Sequence, residues 1–272
     1  MRAVFGAAIA SMMLALTIAV AAADPIAEAR RLYNLGQYDA ALKMANEALA
    51  IPGRADEARV VLGRIRLERF RQSADPSDLA EARAALRVID PKTLDPRQRT
   101  ELLIGLAEAM YMEERYGGAA DLFESVLEQS EALGVSAHER VLDWWATAMD
   151  RQAQRRPHDE RPAQYLRILE RMRKEIGTHA GSTAAGYWLA AAARASGAVE
   201  DAWHAAMAGW VRAVLAEDRG ATLRADLDRL VVQAIIPERA AKVAGRADAN
   251  HVKTAQAVML SEWEAFKGAW SK

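Results

Sequence analysis

The stretch that decides the fold is "LYNLGQYDAALKMANEALAIP", residues 32–52. On both sides of Gly36, apolar and small residues return every three or four positions, which is the period of an α-helix and not of a β-strand. A glycine between two such segments is typical of a tight turn, because it accepts backbone angles that other residues avoid. The stretch therefore predicts two helices joined by a short turn.

A second stretch, "EERYGGAADLFESVLEQ" at residues 113–129, repeats this pattern. Each stretch has a Tyr, two residues, then an Ala, with a small or aromatic residue four positions later and an apolar residue three beyond that. The matched positions are Tyr38, Ala41, Ala45 and Ala48 in the first stretch, and Tyr116, Ala119, Phe123 and Val126 in the second. Such self-similarity indicates a repeat architecture, in which one helical unit is used several times.

The segments that precede the two stretches also match, with Ala29 and Leu32 in one and Leu103, Leu106, Ala107 and Met110 in the other. Together, these units resemble the tetratricopeptide repeat (TPR) family. The resemblance implies antiparallel helix pairs that cross at a small residue, because only a small side chain lets two helix backbones approach closely. It further implies that the first helix of each pair lines a concave surface.

Partial copies of the unit occur along the chain between about residues 24 and 217. Their matching positions are Leu62, Gly63, Arg66, Leu79, Ala82 and Leu86 in a second unit, Trp145, Ala146 and Met149 in a fourth, and Gly197, Ala202 and Ala206 in a fifth. We therefore expect a TPR-like solenoid over residues 24–217. Because a stacked array leaves an apolar face open at its end, residues 218–272 are interpreted as a helical C-terminal cap, with a separate functional module as the alternative.

Start signals for helices recur along the chain. Asp-Pro pairs at residues 24, 75 and 95 place Asp at the N-cap and Pro at the first helical position, and Ser136 with Glu139 forms a capping-box pattern. Pro237 is expected to stop or kink the helix that starts after Thr222. No stretch alternates apolar and polar residues convincingly, so the predicted fold class is all-α.

The first 23 residues place one Arg before an apolar run that ends in small residues, which is typical of a secretory signal peptide. An uncleaved membrane anchor is the alternative, since the run approaches the roughly 20 residues that a span needs. Cleavage before Asp24 would leave an exported chain, periplasmic or secreted, without a stable membrane span. The chain has no Cys, so it is not expected to be a lipoprotein or to contain a disulfide.

Composition and motifs favour few kinds of chemistry. Lys plus Arg number 36 against 37 for Asp plus Glu, so no nucleic-acid partner is expected. The five His residues have no pair three or four apart, and no HExxH, GxSxG, Walker or GxGxxG pattern occurs. We therefore expect no metal, no cofactor and no enzymatic activity, although hydrolysis by two carboxylates that are distant in sequence stays open.

All seven Trp residues lie between positions 144 and 270. Trp203 and Trp210 are seven apart, and Met259, Trp263, Phe266 and Trp270 also fall on one helical stripe, which is the spacing of core-facing residues. The alternative is that exposed rings form a groove for a peptide or a glycan. The sequence leaves a glycan-binding module or a hydrolase in the Trp-rich second half as the second interpretation.

If the TPR resemblance is carried over by position, ten residues are candidates for the concave, partner-binding face. They are Arg30, Tyr33, Asn34, Arg64, Glu68, Glu108, Tyr111, Asp143, Asp150 and Tyr187. The set mixes both charges with Tyr, which suits an extended polypeptide better than a simple anion. The resemblance therefore implies binding of a protein or peptide partner, in scaffolding or assembly within the cell envelope.

Overall fold

The computed structural model describes residues 24–245 and 249–271, so the predicted signal peptide at residues 1–23 lies outside the described residues. Within that part of the chain there is no β-strand, and the all-α prediction is confirmed there. The α-helices are α1 (Pro25–Asn34), α2 (Tyr38–Ala48), α3 (Ala55–Ser73), α4 (Pro76–Arg87), α5 (Pro96–Met112), α6 (Tyr116–Ser130), α7 (Val135–Gln154), α8 (Arg161–Thr178), α9 (Thr183–Ala195), α10 (Val199–Arg212), α11 (Ala221–Leu230), α12 (Ile236–Ala244) and α13 (Ala249–Trp270). Short 3₁₀ turns cover Pro91–Thr93, Glu131–Leu133 and Ala213–Leu215, and a π-helical turn covers Val231–Ile235.

The Asp-Pro pairs start helices as predicted. The carboxylates of Asp24, Asp75 and Asp95 each accept a hydrogen bond from a backbone N–H two or three residues further on, at 3.1, 2.9 and 2.8 Å. These bonds satisfy donors that a helix leaves unpaired at its first turn, and the proline that follows has no N–H to satisfy.

The capping box predicted at Ser136 and Glu139 is wrong. Helix α7 already begins at Val135, after Gly134 in a backbone conformation with φ of 100°. Glu139 instead accepts a 2.9 Å hydrogen bond from the backbone N–H of Ala184, in the first turn of α9. The Glu139 carboxylate therefore satisfies a helix terminus, but that of a neighbouring helix.

Consecutive helices pack together in sequence order from α1 to α11, and the odd-numbered helices also contact one another. α1 contacts α3, α3 contacts α5, α5 contacts α7, α7 contacts α9 and α9 contacts α11. These odd-numbered helices therefore form a continuous row along the molecule.

Small residues lie where the helices of a pair pack. Ala41 on α2, Ala82 on α4, Ala119 on α6 and Ala202 on α10 have no exposed surface. At Gly63, an added Cβ would lie only 2.6 Å from the side chain of the buried Leu86, so α3 and α4 approach too closely for a larger residue.

The Trp stripes belong mainly to the core. Trp203, Trp210 and Trp263 are buried, and the Trp263 ring lies 5.7 and 5.4 Å from the other two. Trp263 also donates a 2.8 Å hydrogen bond from Nε1 to the carboxylate of Asp228. α13 thus packs its aromatic stripe against α10, although Trp270 at its end is 55% exposed.

Pro237 does not end the helical segment that begins with α11, but this segment is not a regular α-helix. The chain passes through the π-helical turn immediately before this proline and continues as α12 to Ala244. A proline removes one N–H from the helical hydrogen-bond ladder, and a local π-turn rearranges the bonds around that loss.

No helix of the described residues is both long and apolar enough to cross a membrane.

The fully buried Ala41 and the exposed Ala40 are neighbours on α2 and provide a matched test of this packing. Ala41→Leu is expected to lower the free energy of unfolding by about 1–3 kcal/mol, because the added atoms overfill the contact between helices. Ala40→Leu is expected to change it by less than about 0.5 kcal/mol. Urea unfolding measures both, and equal losses would contradict the assigned helix contact.

Candidate functional site

The ten candidate residues all lie on odd-numbered helices of the row. Arg30, Tyr33 and Asn34 lie on α1, Arg64 and Glu68 on α3, Glu108 and Tyr111 on α5, Asp143 and Asp150 on α7, and Tyr187 on α9. Contacts between successive odd-numbered helices bring most of them onto one side of the molecule. Two cavities open on that side.

The first cavity, of about 120 Å³, is lined from α1, α3, α5 and the start of α7, and includes Arg30, Tyr33, Asn34 and Arg64. The second, of about 600 Å³, is lined from α7, α9, α11 and the π-turn, and includes Asp143 and Tyr187. Arg140 lines both cavities, so they adjoin. We call the two together the groove.

The other four candidates do not line the groove. Glu108 is buried behind it, and Glu68 is bound to Arg71 at 2.7 Å. Tyr111 is half-buried and packs its ring edge-on at 4.8 Å from the ring of Trp144, which does line the groove.

Asp150 lies in a separate cavity of about 330 Å³ near the C-terminal ends of α7 and α9. Its carboxylate accepts a 2.9 Å hydrogen bond from the Tyr165 hydroxyl and a 2.6 Å bond from Gln154. The sequence places Asp150 on the correct helix but does not separate it from the groove.

The wall of the first cavity is an ion-pair network. Arg30 is bound to the buried carboxylate of Glu101. The Arg64 guanidinium lies over the Tyr33 ring, 5.2 Å from its centroid, and 4.0 Å from the Glu108 carboxylate. Burial raises the pKa of the Glu108 carboxyl, an effect that the charge of Arg64 opposes, and burial also raises the pKa of Tyr33 to about 12.

Two further arginines of this cavity are exposed. Arg97 follows the start of α5 with a side chain that is 63% exposed, and Arg140 stands on α7 where the cavities meet. Arg30 and Arg64 are bound to buried carboxylates, and Arg97 pairs with Glu101 at 3.5 Å although most of its side chain is exposed. The positive charge that a ligand meets at this end therefore comes from Arg140 and in part from Arg97.

The second cavity is weakly acidic, because three carboxylates, those of Glu139, Asp143 and Asp226, line it against the two arginines Arg140 and Arg229. Asp143 is exposed to it and accepts a 2.8 Å hydrogen bond from Trp188 Nε1. Desolvation by the surrounding protein raises the pKa of the Asp143 carboxyl; the hydrogen bond from Trp188 opposes this effect, and the nearby charges of Glu139 and Asp226 add to it. Asp226 is paired at 3.4 Å with the exposed Arg229 on the same helix. The groove thus has a basic end and an acidic end.

Sequence reasoning missed several residues of the groove, above all Arg97, Arg140 and Trp144. Arg140 could have been found, because it precedes Asp143 by three residues and therefore shares its helical face. Arg97 could have been found in the same way, because it precedes Glu108 on α5 by about three helical turns and therefore shares its face.

A different cluster could hold a metal ion. Glu131, His138 and His179 each place a possible ligand atom within 4.8 Å of the others. They line a third cavity, of about 560 Å³, beside the start of α7. The spacing of the histidines along the sequence could not reveal this cluster, because one imidazole comes from α7 and the other from the residue that follows α8.

Comparison with protein-family models, with curated proteins and with solved structures finds no significant match. The chemistry of both sites is therefore interpreted from the residues of this chain alone.

Replacing Arg64 by Met tests whether the wall of the first cavity is structural. The substitution leaves the buried Glu108 without its cation, and we expect the free energy of unfolding to fall by about 3 kcal/mol. Glu108→Gln in the same chain should restore part of the loss, because a neutral amide carries no uncompensated charge. Arg71→Met, an exposed arginine of the same helix, is the control and should cost less than about 1 kcal/mol.

Asp143→Asn tests the electrostatics of the acidic end. The pKa of Asp143 is higher in the folded than in the unfolded state, so folding favours the protonated form. Above the folded-state pKa, the charged carboxylate lowers the free energy of unfolding. The variant should therefore be more stable than the wild type near pH 7, since Asn can still accept from Trp188. The advantage should shrink as the pH falls through the folded-state pKa toward about 3.9. Urea unfolding over this pH range measures it, and a difference independent of pH would contradict the assignment.

Proposed function

We propose that this protein is an exported, TPR-like helical scaffold that binds an extended polypeptide in the groove. The observation that carries the proposal is the pair of adjoining cavities on the row of odd-numbered helices. In a TPR-like solenoid this row corresponds to the concave side. The buried alanines of four units and the tight contact at Gly63 support the same arrangement, since they are the small residues that the TPR pattern requires between paired helices.

The chemistry of the groove supports a polypeptide ligand. The exposed Arg97 and Arg140 offer charge-assisted hydrogen bonds to carboxylates, while Asp143 and Asp226 offer acceptors to Lys or Arg. Between them, Trp144 and Tyr187 provide aromatic surface for apolar side chains. A peptide segment can present all three kinds of group along one extended chain.

The distribution of charge gives the proposed ligand an orientation. An acidic segment would lie over the first cavity and a basic segment over the second, because the opposite placement would bring like charges together. The apolar residues 1–23 support a location in the cell envelope, where such a scaffold would assemble partners.

Burial of most Trp side chains weighs against the alternative of a glycan-binding or hydrolytic pocket. Trp145, Trp188, Trp203, Trp210 and Trp263 are buried, and the aromatic surface that remains in the groove comes from Trp144 and Tyr187. A glycan platform needs several exposed rings on one face, and the described residues favour the polypeptide.

Peptides selected from a random display library against the chain from Asp24 onward provide the test. Binding of each selected peptide, measured by fluorescence anisotropy, should weaken at least tenfold with Arg140→Glu, which corresponds to about 1.4 kcal/mol. The matched control is Arg173→Glu, an exposed arginine on α8, and it should leave the affinity within about twofold.

The same peptides test the orientation. Exchanging the acidic and basic segments of a selected peptide should weaken its binding to the wild type, and raising the salt concentration should weaken the original complex. Equal losses in the two arginine variants, with circular dichroism showing both folded, would place the binding site outside the groove.

A further inference from the structure

Glu131, His138 and His179 line the third cavity, and the carboxylate of Glu175 contacts both imidazoles from outside its lining. Glu131 lies in the 3₁₀ turn before α7, His138 on the first turns of α7, Glu175 near the end of α8, and His179 directly after it. His138 and Glu175 are buried, whereas Glu131 and His179 are exposed. None of these four residues belongs to the candidate peptide-binding set.

The hydrogen bonds of Ser130 fix the tautomer of His138. The Ser130 hydroxyl donates its one proton to the carbonyl of Leu127 at 2.7 Å, so it can only accept at its 2.8 Å contact with His138 Nδ1. His138 Nδ1 therefore carries a proton, and the neutral ring has its lone pair on Nε2. That lone pair faces the Glu175 carboxylate at 3.0 Å.

His179 is oriented in a comparable way. Its Nδ1 lies 2.6 Å from Glu175 Oε1, and the nearby Thr178 hydroxyl donates to the carbonyl of Glu175 at 3.1 Å. Because a carboxylate can only accept, His179 Nδ1 donates to it, and the lone pair of the neutral ring is on Nε2. A carboxylate or backbone carbonyl that binds the other ring nitrogen is the usual support of a histidine that binds metal.

The buried lone pair of His138 and the carboxylate of Glu175 are two acceptors that face each other. The Arg171 guanidinium lies 3.9 Å from the other oxygen of Glu175 and compensates part of its charge, but the lone pair of His138 still needs a proton or a bound cation beside it. The ligand atoms of Glu131, His138 and His179 already converge within 4.8 Å. A tetrahedral zinc site, with bonds of about 2.0–2.1 Å, needs about 3.3 Å between ligand atoms, and the exposed side chains of Glu131 and His179 can close that difference.

We propose that this cluster is a binding site for a divalent transition-metal ion of the zinc type. His138, His179 and Glu131 are the ligands, and each imidazole binds through Nε2. Glu175 orients His179 by accepting from its Nδ1 and lies beside the coordinating Nε2 of His138. Two imidazoles with one carboxylate form a donor set that suits such ions and leaves a coordination position for water or another ligand. The adjoining cavity of about 560 Å³ gives that position access from solvent. The proposal does not depend on peptide binding in the groove.

Zinc binding to the metal-free chain from Asp24 onward tests the proposal. Competition with a chromophoric chelator should give one high-affinity ion per chain in the wild type. His179→Ala and Glu131→Gln, which alter exposed ligands, should each weaken binding at least tenfold. His204→Ala, an exposed histidine on α10, is the control and should bind zinc as the wild type does.

Thermal unfolding supplies a second measurement on the same proteins. Added zinc should raise the melting temperature of the wild type and of His204→Ala, and should raise it less in His179→Ala and Glu131→Gln, because an ion that binds only the folded state stabilises it by mass action. Absence of stoichiometric binding in the wild type would overturn the proposal and leave a proton as the bridging charge. Equal affinity in His179→Ala and His204→Ala would overturn it as well.

Discussion

Close approach of helix backbones is the constraint on which the rest of this structure depends. Gly63 on α3 admits Leu86 so tightly that even one added methyl group would overlap it, and alanines with no exposed surface lie on α2, α4, α6 and α10. Dispersion forces fall steeply with distance, so paired helices that meet at small residues gain contacts that larger side chains would prevent. With the even-numbered helices held in this way, the odd-numbered helices lie side by side and leave one face to polar residues.

The charged residues on that face are of two kinds. Some compensate buried charges in the wall, and others face the open groove. Arg30 and Arg64 compensate the buried carboxylates of Glu101 and Glu108, which would otherwise be costly to remove from water. Arg140, in contrast, is exposed and stands where the two cavities meet. A list of the charged residues on these helices therefore combines residues that stabilise the wall with residues that face the groove. Only the burial of their partners distinguishes the two groups.

The parts of the fold that local sequence could predict are those that depend on local chemistry. Asp24, Asp75 and Asp95 cap helices because the carboxylate and the N–H groups it binds are only two or three residues apart. The prediction at Ser136 failed because Gly134 starts the helix earlier, which frees Glu139 to bind the terminus of α9. Long-range partners of this kind leave no local pattern.

The candidate sites show the same contrast between features that depend on local sequence and features that depend on long-range contacts. Helical periodicity places Asp143 and Tyr187 on the sides of α7 and α9 that line the second cavity, because each position depends only on its own helix. It does not place Asp150 or the imidazoles of His138 and His179, whose surroundings depend on how α7, α8 and α9 end relative to one another.

The acidic end of the groove and the third cavity are neighbours, and they share wall residues. Ser136, Glu139, Thr183 and Thr222 line both. Glu139 is bound to the hydroxyl of Thr183 and to the backbone N–H of Ala184, so its carboxylate is fixed between the two cavities.

A cation in the third cavity would add positive charge on one side of this fixed carboxylate. It would thereby lessen the negative potential that a basic peptide segment meets on the other side, because charges in a partly buried wall are screened only weakly. Occupancy of the proposed metal site would then weaken the binding of basic segments at Asp143 and Asp226. Peptide binding must weaken metal binding in return, because linkage requires that each ligand change the affinity of the other by the same factor.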